Sequence, residues 1–347
     1  VDDGPMKVFD IKGIEAPFVP RSLPRAFPEL RTEPDWASRI LPAIETELVG
    51  LVSAEVHDVV PWEPWMHSNT IRTHRIDSVK PEKFKSRFVA QGNRTKGDGV
   101  HFDEVATSMA SQTAVKLTVA FTAGCGHGLY SVDFKQAFLQ ADVANPNLYI
   151  ELPELPYELE GGAYGPGKGK GYVGRLKKAL YGLRDSPRLF SIHLRKFLSS
   201  EAVGVRLMSS DRNVFKWTFQ GQTLTGCIHV DDVLFAPSGD AVREEFLRRL
   251  RSHYDITGGK ELVDKFCGYE FRYDAHARSI TMHQASFVRA VLDKYDMLDA
   301  KPVDTPMLVG TSPLEPWTGV ATDRQAFDYA MFIGDLTWMT RTNPRLA

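Results

Sequence analysis

Two adjacent aspartates stand between two apolar stretches in the second half of the chain. They are Asp231 and Asp232, within the segment CIHVDDVLFA at residues 227–236. A plain hairpin turn is one explanation, because Asp tolerates turn geometry well. A metal site is the other, because paired carboxylates offset their mutual repulsion by sharing divalent cations. The pair alone leaves both explanations open.

A third aspartate, Asp133, ends a predicted strand well before this pair, in the segment SVDFKQAF. If that strand lies beside the hairpin, three carboxylates converge with one open side. Oxygen ligands in that number suit Mg²⁺, which keeps other positions for water and substrate phosphates. Two such ions about 3.5–4 Å apart stabilise both the attacking and the leaving oxygen of a phosphoryl displacement. The combination strengthens the case for a metal site, but by itself it leaves the plain turn open.

The elements that must position these aspartates follow the order strand, helix, strand, strand, helix, strand. The first helix has Ser186 as its predicted N-cap and Pro187 at its first position. This order predicts an α+β fold, with a split βαβ sheet covered on one face by helices. The predicted elements are, in chain order, LYSVDFKQAFL, SPRLFSIHLRKFLSS, TLTGCIHV, VLFAPSG, DAVREEFLRRLRSHY and the strand pair KFCGYEF and SITMH.

The length and composition are those of an ordinary globular chain. With 347 residues it is too long for one compact core, which predicts two or three subdomains. No run of about 18 uncharged apolar residues occurs, so no membrane contact is expected. The three cysteines are widely spaced, which argues against a zinc site or a disulfide framework and fits a reducing compartment.

Positive charge is concentrated in two stretches, 72–96 and 175–196, although the net charge is only -2. Such stripes bind a phosphate backbone or are solvated faces. The first stretch reads as two strands around a turn. In its second strand, Lys83, Lys85 and Arg87 share one face at a period of two, and the residues between them face the other way.

Several segments in order resemble the reverse transcriptase domain of copia-type LTR retrotransposons, a Pol polyprotein fragment, over roughly residues 35–347. Met109 stands where that family usually has Pro. The resemblance implies a right-hand polymerase that extends DNA on an RNA or DNA template, using deoxynucleoside triphosphates and two Mg²⁺ ions, with Mn²⁺ as a substitute. The matching segments are FKSRFVAQG, VHFDEVATSM, VDFKQAFLQA, LYIELP, GRLKKALYGLRDSPRLF, HVDD, FCGYEF, TPM and IGDLTWMTRTNP.

The resemblance also implies a division of the chain. Residues 1–34 would be a linker or arm from the upstream polyprotein, and 35–130 an N-terminal helix and fingers. Residues 131–272 would form the palm, interrupted by a fingers segment at about 143–185. Residues 273–347 would hold the exit from the primer grip and a partial helical thumb or connection.

On the matching positions, Asp133 and Asp231 would hold both ions, Asp232 would complete the site, and the carbonyl of Phe134 would be a further ligand. Lys85 and Arg87 would bind the triphosphate, or else form a solvated strand face that blocks edge pairing. These roles are implied by the family and not by spacing alone.

Three further residues would contact the incoming nucleotide. Phe138 would lie beneath the sugar and exclude a 2′-hydroxyl, or else be a core residue. That gate disfavours an RNA-dependent RNA polymerase, which must admit the 2′-hydroxyl. Tyr181 and Gly182 would pack on nucleotide and template, where glycine allows close backbone approach.

The primer and template would contact a further group of residues. In the helix near the end of the chain, Gly334 and Trp338 share a face and would track the minor groove, or Trp338 would be a helix-core residue. Lys260 or Lys265 would protonate the leaving pyrophosphate, or both are merely solvated. The remaining residues of this group are His229, Val230, Phe266, Cys267, Gly268 and Tyr269.

His229 departs from the family pattern, which has Tyr two positions before the aspartate pair. Two functions follow: an active RNA-directed DNA polymerase, or a decayed or co-opted nucleic-acid-binding remnant that keeps the basic stripes without needing the acids. Retention of all three aspartates favours the first. The implied partners are template-primer, dNTPs, and the integrase and ribonuclease H domains of the same polyprotein. The family also implies a role in DNA integration and a cytoplasmic virus-like particle.

Overall fold

The chain has a mixed α/β fold whose described residues separate into two compact units. One unit comprises Val19–Val263, and the other contains the described residues from Asp264 onward. Part of the predicted arm is packed, because Phe27 and Leu30 are buried in a short helix. The computed structural model describes residues 21–22, 26–80, 83–94, 105–107, 109–274, 276–301, 303, 319 and 323–342.

The predicted helical segments SPRLFSIHLRKFLSS and DAVREEFLRRLRSHY are helical in the structure, and a further short helix lies in the predicted arm. A π-helix, Trp36–Ile40, leads directly into the second α-helix, which carries Pro in its first turn. Short 3₁₀ helices cover Pro64–Asn69, Gly92–Arg94, Ala137–Gln140 and Tyr157–Leu159. The α-helices are α1 (Phe27–Leu30), α2 (Leu41–Ser53), α3 (Gln112–Cys125), α4 (Ser186–Leu198), α5 (Asp240–Arg251), α6 (Ala285–Lys294) and α7 (Asp323–Met339).

The strands form four sheets within the described ranges. They are β1 (Arg21–Ser22), β2 (His57–Pro61), β3 (Thr70–Ile71), β4 (Thr73–Lys80), β5 (Lys83–Ala90), β6 (Tyr130–Phe134), β7 (Tyr149–Glu151), β8 (Tyr172–Leu176), β9 (Arg206–Leu207), β10 (Val214–Phe219), β11 (Gln222–His229), β12 (Asp232–Pro237), β13 (Ile256–Gly258), β14 (Lys265–Phe266), β15 (Tyr269–Asp274) and β16 (Ser279–His283).

The central sheet has the strand order β13-β6-β12-β11-β10-β9, and β6 pairs antiparallel with both β12 and β13. The predicted split βαβ order is confirmed as β6, α4, β11, β12, α5 and β13. Its last strand differs from the prediction, because β13 takes the place of KFCGYEF. β13 has three residues and ends at Gly258, so it is too short to show an alternating pattern.

Helices α4 and α5 cover one face of this sheet. Phe190 of α4 and Phe246 of α5 are fully buried in one cluster with Phe215 and Phe235 of the sheet. The Phe246 ring lies 5.3 Å from that of Phe235 and 5.9 Å from that of Phe215. Burying each such side chain contributes about 1.5–3 kcal/mol, so this cluster holds the two helices and the strands of the central sheet together.

Helix α3 packs on β11 and β12 from the opposite face, so the prediction of helices on one face only was wrong there. Ile228 and Phe235 belong to the core cluster under α4 and α5. Their neighbours Cys227 and Leu234 are also fully buried, but outside that cluster. Side chains alternate between the faces of a strand, and Thr118 of α3 hydrogen-bonds Cys227. The continuous apolar runs around the aspartate pair are those of strands buried on both faces.

Helix α4 begins one residue away from the predicted cap. Its N-cap is Asp185, and Ser186 is the first helical residue. The Ser186 hydroxyl donates instead to the carbonyl oxygen of Leu180 at 2.7 Å. Asp and Ser are both favoured caps, so the sequence pattern gives no preference between these neighbours.

The basic strand pair has the predicted alternation. β4 and β5 form an antiparallel hairpin, with Lys85 and Arg87 exposed on β5. Phe84 and Phe88 are buried in a cluster that also contains the apolar face of α2. β1 extends this sheet, and β2, β8, β7 and β3 form a separate one. The apolar face of β5 is therefore fixed against α2, while its cationic face is open.

The second unit contains the β14-β15-β16 sheet together with α6 and α7. The predicted pairing of KFCGYEF with SITMH is confirmed as the β15–β16 pair. Among the described residues, no helix is long and apolar enough to cross a membrane.

Candidate active site

The structure brings the three predicted aspartates to one edge of the central sheet. Asp232 on β12 and Asp133 on β6 are Cα partners across an antiparallel pair. Asp231 lies in the loop between β11 and β12, and its carbonyl oxygen accepts the Phe134 N–H at 3.4 Å. The end of β6 is thereby joined to the tip of the hairpin, and residues far apart in sequence converge as predicted.

The hairpin tip is unusually tight at Val230, which has a φ of 58°. A β-branched residue in the left-handed region is a conformational outlier. Such strain costs on the order of 1–3 kcal/mol and concentrates at functional sites. The positive φ at the first loop position is typical of the two-residue hairpin turns that match strand twist. This tight turn leaves both Asp231 and Asp232 at the edge of the sheet.

The three carboxylates repel one another. Burial, followed by the charges of Asp231 and Asp133, raises the pKa of Asp232 to about 6. Burial, followed by the charge of Asp231, also raises the pKa of Asp133. Groups that destabilise each other as anions are stabilised by a shared cation.

The donor chemistry of this edge fits Mg²⁺, which prefers carboxylate and carbonyl oxygens. Asp133, Asp231 and Asp232 supply carboxylates, and burial followed by neighbouring negative charge raises the pKa of Asp133 and of Asp232. In the part of the chain that the structure describes, no three His, Cys, Asp or Glu side chains are arranged as a complete metal-binding set. Metal ligation is therefore a prediction from the chemistry of the donors.

The basic face of β5 belongs to the same electrostatic environment. The charges of Lys85 and Arg87 both lower the pKa of Asp133, in opposition to its burial. The Arg87 guanidinium also lies over the Tyr181 ring, 5.0 Å from its centroid. The predicted cationic residues thus contribute positive charge at the sheet edge that carries the aspartates.

Phe138 is half-buried and combines features of both predicted roles. Its ring lies 5.4 Å from that of Tyr181 and 6.5 Å from that of core residue Phe190. It follows a chain reversal at Gln136, which has a φ of 49°. Phe138 therefore packs against the core on one side and joins the predicted nucleotide residue Tyr181 on the other.

Gly182 makes its close approach to the protein's own backbone. Its φ is 86°, and a Cβ there would lie 2.1 Å from the Ala90 carbonyl oxygen of β5. The Ala90 N–H donates to the Tyr181 carbonyl oxygen at 2.7 Å. A glycine is required at this position because the loop packs tightly against the backbone of β5. The prediction gave another reason, a close approach to the nucleotide.

His229 ends β11 as the Cα partner of Asp232, and it is half-buried. The residue that replaces the family's Tyr is therefore at the predicted place beside the aspartates. Lys260 follows β13 and is exposed. Its role with pyrophosphate stays a prediction.

The second unit brings together most of its predicted primer residues. Phe266 and Tyr269 are paired and buried, and Cys267 and Gly268 form the two-residue loop between them with φ values of 48° and 80°. A Cβ on Gly268 would lie 2.8 Å from Trp338. The hairpin tip therefore packs on α7.

Trp338 is half-buried, with the Arg341 guanidinium 3.5 Å from its ring centroid. Gly334, one helical turn earlier, is exposed, and a Cβ there would meet no atom of the described residues within 4 Å. Lys265 begins the same hairpin and is also exposed. The predicted shared face of Gly334 and Trp338 on α7 is present.

Two residues near the site were missed by the sequence reasoning. Glu47 of α2 accepts the Phe88 N–H at 3.1 Å, and Gln136 packs against Gly50 of the same helix. A signal was present for Glu47, which stands between Ile44 and Leu48 on the apolar face of an amphipathic helix. Nothing in the pattern marks Gln136.

The comparisons with known proteins assign the family of the chain. The family model described as "Reverse transcriptase (RNA-dependent DNA polymerase)" matches residues 62–309, and the chain belongs to this family. The resemblance to copia-type Pol polyproteins is confirmed.

Several curated relatives are named as retrovirus-related Pol polyproteins from transposons. The chain is 23% identical over 290 residues to the Retrovirus-related Pol polyprotein from transposon TNT 1-94 of Nicotiana tabacum, covering 82% of this chain and 21% of the relative. It is 24% identical over 312 residues to that from transposon RE1 of Arabidopsis thaliana, covering 88% and 20%. The chain thus spans about a fifth of these relatives' length.

A solved structure of the foamy viral protease-reverse transcriptase in complex with double-stranded DNA is also similar. Its TM-score is 0.44 with 13% identity, and the match covers 86% of this chain and 40% of that one.

Proposed function

We propose that the chain is the catalytic part of an RNA-directed DNA polymerase that transfers nucleotides from dNTPs to a primer 3′-hydroxyl. The observation that carries the proposal is the convergence of Asp133, Asp231 and Asp232 at one sheet edge, with Lys85 and Arg87 acting on Asp133. Carboxylates for divalent cations and cations for a triphosphate are the two requirements of phosphoryl transfer.

The reaction would proceed by attack of the primer 3′-oxygen on the α-phosphorus of the dNTP. The bond from that phosphorus to the pyrophosphate oxygen breaks, the hydroxyl proton is lost, and pyrophosphate leaves. Asp133, Asp231, Asp232 and the Phe134 carbonyl would hold two Mg²⁺ ions. When bound, these ions supply Lewis-acid stabilisation of the attacking and leaving oxygens.

The other residues of the first unit would bind and select the nucleotide. Lys85 and Arg87 pair with the triphosphate through charge-assisted hydrogen bonds. The Phe138 ring excludes a 2′-hydroxyl by contact, supported from behind by Tyr181. His229 lies beside the aspartates, where it would touch the primer end.

The remaining parts of the proposal concern the larger assembly. In a right-hand arrangement, the β4–β5 hairpin belongs to the fingers, the central sheet to the palm, and α7 to the thumb. The loop of Cys267 and Gly268, with Gly334 and Trp338, would contact template-primer. Integrase and ribonuclease H domains of the same polyprotein are proposed partners, and a cytoplasmic virus-like particle is the proposed location.

Primer extension on poly(rA)/oligo(dT), with Mg²⁺ or Mn²⁺, tests the function. Wild-type protein is compared with Asp231→Asn and with the matched control Asp293→Asn, an exposed position on α6. We expect extension by the wild type and the control and none by Asp231→Asn.

Tight template-primer binding without extension by any of these proteins would contradict the proposal. It would favour a nucleic-acid-binding remnant instead. His229→Tyr would then show whether the histidine is what abolishes activity.

A further inference from the structure

Helix α2 contributes a half-buried acid beneath the basic strand β5. Glu47 lies on the apolar face of α2 between Ile44 and Leu48, which are both buried. Its Oε1 accepts the Phe88 N–H at 3.1 Å, so it contacts the backbone directly after Arg87. A buried carboxylate is costly unless hydrogen bonds and opposite charges compensate it.

The compensating charges come from the proposed nucleotide-binding residues. Burial raises the pKa of Glu47, the Phe88 N–H lowers it, and the charges of Arg87 and Lys85 lower it further. The charge of Glu47 in turn raises the pKa of Tyr181, whose ring lies 5.0 Å from the Arg87 guanidinium. One acid of α2 thus acts on three residues of the proposed site.

The same helix also contacts the loop that follows Asp133. Gly50 lies three residues after Glu47, and therefore on the same side of α2. A Cβ at Gly50 would lie 1.8 Å from the Gln136 Nε2 atom, so the glycine makes room for this side chain. Helix α2 therefore contacts both β5 and the loop after β6. It lies before residues 62–309, the range of the family match.

A cavity of about 130 Å³ opens beside Glu47. Its walls include polar groups of Thr73, Ser86 and Lys168 as well as the Phe88 side chain. A cavity of this size admits water, which solvates a carboxylate. Glu47 can therefore keep its charge beneath the strand while its hydrogen bond to Phe88 holds it in place.

We propose that Glu47 is a positioning residue for Arg87: the hydrogen bond from the Phe88 N–H fixes its negative charge beside the Arg87 backbone, where it favours the guanidinium position over Tyr181 that would receive the triphosphate of an incoming dNTP. The inference rests on the proposed function and concerns nucleotide binding before chemistry. It assigns a binding role to a helix outside the matched family range.

Glu47→Gln isolates the charge, because the amide oxygen can still accept the Phe88 N–H. The matched control is Glu45→Gln on the exposed side of α2, where Glu45 accepts a hydrogen bond from the Tyr164 hydroxyl at 3.0 Å. The measurement is the Kd of the complementary dNTP for protein bound to template and dideoxy-terminated primer. This complex needs no chemistry to form.

We expect Glu47→Gln to weaken dNTP binding about five- to tenfold, the size of one partly screened charge interaction. Template-primer affinity and the dNTP affinity of Glu45→Gln should equal those of the wild type. Arg87→Gln gives the second arm, and the double variant should bind dNTP no more weakly than Arg87→Gln alone. A merely structural role of Glu47 would give additive losses.

Unchanged dNTP affinity in Glu47→Gln, or additive losses in the double variant, would overturn the inference. If Glu47→Gln does not fold, Glu47→Asp moves the charge by one methylene and serves in the same cycle with the same criteria. A wild type that binds dNTP but never extends a primer would overturn the proposed function alone. A wild type that binds no dNTP would overturn both.

Discussion

Asp133 and Asp232 face each other across the antiparallel pair of β6 and β12, and each raises the cost of ionising the other. The carboxylates are therefore in their least favourable state when ionised without cations. Placing two such residues at one register position is unfavourable for the fold alone, because like charges directly opposite each other destabilise a sheet. The pairing is explained by a role that needs the negative charge.

Asp232→Asn is expected to stabilise the metal-free protein at pH 7 but not at pH 4. The pKa of Asp232 rises from 3.8 to about 6 on folding, so the folded state binds the proton more tightly. Stability is therefore lost as the pH rises from about 4 to about 6. Because the side chain is partly solvated, we expect a gain of only about 1 kcal/mol at pH 7.

Urea unfolding in EDTA at both pH values measures this difference. The same measurement on Asp293→Asn, an exposed position on α6, is the control for replacing Asp by Asn. Equal effects of Asp232→Asn at the two pH values would show that folding does not raise the pKa of the carboxyl group.

Phe138→Val is expected to admit ribonucleotides. The shortened side chain removes the contact that would reject a 2′-hydroxyl, so the ratio of kcat/KM for dNTP over rNTP should fall at least tenfold. Loss of the ring contacts to Tyr181 and Phe190 should also cost about 1–3 kcal/mol of stability.

Steady-state incorporation of dTTP and UTP on the same template measures the discrimination ratio. Lower stability with an unchanged ratio would identify Phe138 as a core residue only.

Gly182→Ala is expected to destabilise the first unit strongly. The left-handed backbone costs an L-residue roughly 1–2 kcal/mol, and the new Cβ would collide with the Ala90 carbonyl oxygen at 2.1 Å. We expect a total loss above about 3 kcal/mol. Thermal and urea unfolding measure it.

Gly169→Ala is the matched control, because its φ of 79° is similar but no described atom lies within 4 Å of the added carbon. It should lose only the backbone cost. Similar losses of unfolding free energy for the two variants would mean that the β5 backbone at Ala90 shifts away from the added carbon at little cost.

Gly334→Ala is expected to separate stability from binding. Alanine in a helix interior is favoured by about 1 kcal/mol over glycine, and the added carbon meets open space. The variant should therefore be more stable yet bind template-primer several-fold more weakly, if this face of α7 tracks the duplex. Unfolding and fluorescence-anisotropy titrations measure both quantities, and unchanged affinity would remove Gly334 from the proposed interface.

The local features of the site were determined by the sequence itself. Alternation at period two placed Lys85 and Arg87 on one face of β5 and Phe88 on the other, and the structure has that arrangement. The apolar runs beside Asp231 and Asp232 predicted their hairpin. Such patterns are readable because the faces of a strand are set by its own backbone geometry.

Only the tertiary structure decided which distant segments meet. Glycine is needed at position 182 because a side chain there would collide with Ala90, and the negative charge near Arg87 comes from Glu47. Each of these neighbours lies in a different element and far away in sequence. The burial of Cys227 on a second face depends on where α3 packs. These contacts arise from long-range packing, which leaves no period in a single chain, so they could be found only once the elements were placed in three dimensions.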